Sequence, residues 1–146
     1  MKRIFLYIIG VALTLSACDL EHSENDDLDG MWQLRTVDSI GSGATVDMRP
    51  SQRVWAFQGS LMEARLLNSG NRTDYIIFRF DHQGQTLRLY SPYVSNRDVG
   101  DAPVDNIALL SVFGINSTDE IFRVQHLSAE TMTLESALVR LHFRKY

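Results

Sequence analysis

Four histidines, one cysteine and a scatter of acids are the side chains of this 146-residue chain that could carry chemistry. A hydrolytic site needs a nucleophile, a base and a group that orients the base. His22 lies in an acidic stretch, and His82 sits in the turn sequence Asp81-His82-Gln83-Gly84. His142 stands between Arg140 and Arg144, where positive potential favours its neutral form. His126 shares strand parity with Phe122 and Val124, which reads as a residue ending a core strand. No Gly-x-Ser-x-Gly elbow accompanies them. The spacing His-x-x-x-His, a cysteine pair and an Asp-x-Asp-x-Asp-Gly loop are all missing, so no metal ligand set is expected. Asp98, Asp101 and Asp105 could meet around a cation, but the simpler reading makes Asp101 a helix cap. With no phosphate-cradling glycine loop either, the expectation is a non-enzyme without cofactor.

The remaining reactive group is Cys18. Lys2 and Arg3 open the chain, Ile4 to Leu15 is apolar apart from Gly10 and Thr14, and Ser16 and Ala17 precede the cysteine. A positive start, a short apolar run and small residues make a secretory signal over 1–17. The run falls short of the roughly 20 residues a spanning helix needs. Leu15-Ser16-Ala17-Cys18 resembles the bacterial lipobox, which implies acylation of Cys18 as the first mature residue. Two acyl chains suffice for stable anchoring at about 0.8 kcal/mol per buried methylene. The expected location is the cell envelope, most simply the outer membrane, facing periplasm or surface, with the membrane as partner.

Loss of residues 1–17 leaves 129, one domain's worth. The whole chain carries −4. Its 14 basic side chains less Lys2 and Arg3 leave 12 against 18 acids, a balance of −6. Without a basic block it is a poor nucleic-acid binder. Residues 18–29 hold the lipidated cysteine and then six acids with only Leu20 and Leu28 apolar, which reads as a disordered tether. Acids close behind the cysteine also look like a surface-export signal of some Gram-negative lipoproteins.

From Gly30 the hydrophobic period becomes two. Alternation and turn signals place strands near 30–38, 52–58, 61–67, 74–80, 86–91, 119–127, 131–136 and 138–145. Eight antiparallel strands joined by short turns predict an all-β domain over 30–146, a barrel or alternatively a β-sandwich. One short helix is expected: Pro103 in a first turn, Val104, Ile107, Ala108 and Ser111 at helical spacing, and Gly114 as the stop, placed to plug one end. Before it runs a polar loop from Ser91 to Gly100. Arg79, Arg88, Arg123, Arg140 and Arg144 take outward parity, as a basic stripe or as members of cross-strand charge pairs. Asp38-Ser39-Ile40 resembles a short O-glycosylation acceptor of some exported bacterial proteins.

Gly30-Met31-Trp32 at the first strand is similar to the Gly-x-Trp motif that opens lipocalins, and the tail from Leu127 to Lys145 resembles the closing hairpin of lipocalin-like domains in bacterial surface lipoproteins. The resemblance implies an eight-stranded barrel in which Trp32 closes the floor under a basic residue of the last strand, Arg144 or Arg140. It also implies a small apolar or amphipathic ligand, whose mouth Tyr90, Tyr93 and Phe113 would frame. The alternative is a barrel filled by its own side chains, Trp32, Phe78, Phe80, Phe122 and Phe143 among them, that docks onto an envelope protein or glycan. Trp55 and Phe57 share parity, with Val54 and Ala56 opposite, so one of the two pairs must face outward.

Overall fold

The structure, a computed structural model, describes residues 24–67, 69 and 75–146. The leader, Cys18 and most of the turn at Asn68-Ser69-Gly70-Asn71 lie outside the described residues. Within them no helix is long and apolar enough to cross a membrane.

The strands are β1 (Gly30–Ser39), β2 (Thr45–Asp47), β3 (Arg53–Gln58), β4 (Leu61–Leu66), β5 (Tyr75–Gln83), β6 (Thr86–Val94), β7 (Ala102–Pro103), β8 (Asp119–Leu127), β9 (Thr131–Glu135) and β10 (Val139–Lys145), with one α-helix among the described residues, α1 (Ile107–Ser111). Eight of them pair antiparallel in the order β10-β9-β8-β6-β5-β4-β3-β1, and β10 returns to β1. The closing register runs from Trp32↔Lys145 to Ser39↔Val139. The domain is therefore a barrel and not a sandwich, and closure leaves no unpaired edge along these eight strands. Short β2 adds to the far half of β1, and β7 to the end of β6.

Three bulges shift the inward-outward alternation. Arg35 is the extra residue of β1, so Val37, not Thr36, turns in against Leu141. Gln125 plays the same part in β8. Leu127 thus packs on the core, whereas His126, expected to end a core face, is exposed and bonds Thr131 Oγ1 through Nε2 at 2.9 Å. In β6, Ser91 and Pro92 together stand opposite Phe78.

Both barrel ends are covered. At the floor, beneath the hairpins 58–61, 83–86 and 127–131, Asp26–Leu28 forms a 3-10 turn with Leu28 in the core. Residues 24–29 are thus placed against the barrel, whereas the sequence pattern reads as a disordered tether to residue 29. Leu28 is apolar enough to be drawn under the barrel, and its carbonyl accepts a hydrogen bond from Trp32 Nε1 at 2.8 Å. At the opposite end α1 and the residues after it contribute Leu110, Phe113 and Ile115 to the core. The helix is shorter than expected. Ala102 and Pro103 pair with β6 as β7, and Asn106, not Asp101, is the cap, its Oδ1 accepting from Ala108 N at 3.0 Å. Ile107 is partly exposed and Leu110 is the residue that buries. Gly114 has φ +84°, and a Cβ there would lie 2.6 Å from Leu141 Cδ2, so this turn requires glycine.

Candidate functional site

A ligand of a cup-shaped barrel would sit in the interior. Trp32, Trp55, Phe57, Phe78, Phe80, Phe122 and Phe143 are each no more than 5% exposed. Trp55 is the hub, with ring centroids 4.8 Å from Phe143, 5.7 Å from Phe122 and 6.3 Å from Phe57. Phe57 in turn meets Phe80 edge-on at 5.1 Å. The indole N–H of Trp55 donates to the Phe113 carbonyl at 3.2 Å, tying the end cover to the core. These tilted and edge-to-face contacts fill the space that aromatic quadrupoles favour. Trp55 and Phe57 face inward, so the exposed Trp-Phe patch considered from their parity does not exist.

At the floor, Gly30 has φ +113°, and a side chain there would press Lys145 Cε at 2.9 Å. Lys145 Nζ stands 4.9 Å from the Trp32 ring and donates to the Asp27 carbonyl at 2.8 Å. The basic cover of Trp32 is thus Lys145. Arg144 pairs with Gln33 in register and is exposed, and Arg140 is bound to Glu135 at 2.6 Å. The parity of Val139, Leu141 and Phe143 runs on to Lys145, and that was the signal available in the sequence.

The expected mouth is divided. Phe113 is buried, whereas Tyr90 and Tyr93 lie on the outer wall in a groove of about 660 Å³. The cause is the β6 bulge: Ser91 takes φ +51°, so Tyr90 and Tyr93, three positions apart, face outward while Pro92 turns in. Arg79, Arg88, Asp101, Pro103, Asp105 and Asp119 line the groove with them. Arg88 holds Asp119 bidentately at 2.6 and 2.8 Å and lies over the Tyr90 ring at 4.8 Å. This fork keeps the Asp119 carboxyl below its ordinary range. A second groove of about 310 Å³ continues past Arg88 between Asp81, Gln83, Thr86 and Ile121.

The other titratable groups assemble elsewhere. The β1 bulge turns Asp38 outward, where Oδ2 meets His142 Nε2 at 2.8 Å and Oδ1 accepts from Thr45 Oγ1 at 2.7 Å. Those bonds, Thr45 first, lower the Asp38 pKa. Thr133 Oγ1 stands 3.4 Å from the other ring nitrogen, and none of Asp38, Thr45, Thr133 and His142 lines either groove. His82 is part of β5 instead of a turn. Asp98 is not among the groove residues that include Asp101 and Asp105, so the three acids do not gather. Among the described residues no group of three or more His, Cys, Asp or Glu side chains is placed to hold a metal. Among the described residues Glu120 is the buried acid. Burial raises its pKa against the bonds it receives from the Asn116 and Ser117 backbone and from Ser136.

Residues 13–146 match the family model of a lipocalin-like domain. A lipocalin-like protein from Bacteroides uniformis ATCC 8492 superposes with a TM-score of 0.59 at 23% identity, covering 82% of this chain and 99% of that one. An uncharacterized protein from Bacteroides eggerthii DSM 20697 does so with a TM-score of 0.57 at 20% identity, with the same coverage. No curated protein matches the chain.

Proposed function

Since the match spans nearly its whole length, the chain belongs to the lipocalin-like domain family, and from that membership we propose a non-catalytic binding module that recognises its partner with the outside of a filled barrel. The observation that carries this reading is the interior: seven aromatic rings, none above 5% exposed, are packed where an apolar ligand would otherwise sit. An eight-stranded barrel is just wide enough for a small ligand or for its own side chains, and here the side chains take the room. Three of the charged pairs on the outer wall, Arg88–Asp119, Arg140–Glu135 and His142–Asp38, hold each other.

The module is carried on acyl chains at Cys18 and held in the cell envelope. Cys18 precedes the floor turn in the chain, so the anchor keeps the floor nearest the membrane and directs the α1 end outward. Two experiments test the reading. Native mass spectrometry of the Cys18→Ser chain, purified from its own host, should give the bare polypeptide mass; a co-purifying apolar molecule that survives dilution would sink the filled-barrel reading. Radioactive palmitate should label the native chain, and Cys18→Ser should leave the membrane fraction. An unlabelled chain that still pellets with membranes would remove the anchor.

A further inference from the structure

The two outer-wall grooves share Arg88 and follow β5 and β6 from Gln83 and Thr86 near the floor to Pro103 and Asp105 near the α1 end. At about 3.3 Å per residue the trough is roughly 20 Å long. It is built on rigid strands, and its form depends on a non-glycine residue in the left-handed region, Ser91, which brings two tyrosines to one face. Arg88 and Asp119 neutralise each other. The guanidinium of Arg79 makes no hydrogen bond or ion pair among the described residues, and it faces the same trough as Asp81, Asp101 and Asp105. Ile121, 60% exposed, supplies an aliphatic wall at the floor end.

We infer that this trough is a binding site for a neutral, hydroxyl-rich chain of the oligosaccharide class. Pyranose rings have an apolar C–H face and a rim of hydroxyls. Tyr90, Tyr93 and Ile121 suit the first. The planar carboxylates of Asp81, Asp101 and Asp105 and the fork of Arg79 suit neighbouring hydroxyl pairs, as acceptors and donors respectively. Carboxylates outnumber the free arginine, which disfavours polyanions. The open, half-polar lining equally disfavours lipid tails. The inference rests on the external-recognition reading and adds the ligand class.

The test is isothermal titration of the mature chain carrying Cys18→Ser with neutral hexaoses: α-1,4-glucose, β-1,4-glucose, β-1,4-mannose and β-1,4-xylose. A heparin hexasaccharide and pentalysine serve as charged comparators. At least one neutral hexaose should bind with Kd below about 1 mM, and Arg79→Gln, an exposed substitution, should weaken it at least fivefold. Tyr93→Ala should weaken it at least tenfold, with circular dichroism confirming the fold. Binding of none of the four, equal binding by both variants, or preference for pentalysine or heparin would overturn the inference. A chain that binds no hexaose and carries no internal ligand loses this inference alone. A chain that binds a hexaose and also retains an internal apolar molecule loses only the filled-barrel reading.

Discussion

Lys145 holds Trp32 from above while bonding the Asp27 carbonyl, so one ammonium joins the last strand, the first strand and the floor turn. Lys145→Ala should cost about 1–2 kcal/mol in urea unfolding, Lys145→Arg should recover most of it, and Arg144→Ala should stay within about 0.5 kcal/mol. Equal losses for Lys145→Ala and Arg144→Ala would show that the ring contact contributes nothing. Glu120 presents the opposite case, a charge whose burial raises its pKa. A carboxyl with a raised native pKa favours folding most where it is protonated, below its ordinary value of 4.5, and that contribution is lost as pH rises through the native value. Glu120→Gln keeps an acceptor for the Asn116 N–H and removes the titration. The stability of wild type relative to Glu120→Gln should therefore fall between pH 4 and neutrality, as followed by urea midpoints; a difference independent of pH would contradict the shift.

Among the elements, β6 most directly shapes the outer wall. Regular alternation would send Tyr90 and Tyr93 to opposite faces, and the two-residue bulge brings them together. Because Ser91 sits at φ +51°, Ser91→Gly should leave the melting temperature unchanged or slightly raised. Ser91→Val should cost about 1–3 kcal/mol through backbone strain. If Val and Gly variants melt together, the bulge is not held by that residue's conformation. The β1 and β8 bulges act in the same way on other groups: one turns Asp38 toward His142, the other releases His126 to the surface.

At the scale of the whole molecule, closure of β1 on β10 creates a core in which seven aromatic rings are buried. Phe122→Ala should cost about 3–5 kcal/mol and leave an apolar cavity. Such a cavity takes up benzene, so benzene should raise the melting temperature of Phe122→Ala and leave that of the native chain unchanged. A rise in the native chain of equal size would reveal interior space already open. Anchoring at one end and covering at both would leave the side wall as the face available to a long partner.

Strand spans and the barrel were legible in the residues, because a two-residue period and turn chemistry are local properties. The sequence by itself determined that β1, β3 to β6 and β8 to β10 would form, and it showed the buried apolar face of β4, β5, β9 and β10 but not that of β3; the end cover was legible too, though its helix is capped at Asn106 and is shorter than the spacing implied. Only the tertiary structure decided where one extra residue in Arg35, Gln125 or the Ser91-Pro92 pair would shift the alternation, since a bulge exists only relative to the strand beside it. It likewise decided that Lys145 covers Trp32, that Phe113 faces in while Tyr90 and Tyr93 face out, and that seven aromatic rings pack together inside the barrel. Whether rings fill a space depends on the volume enclosed, and no stretch of chain carries that quantity alone.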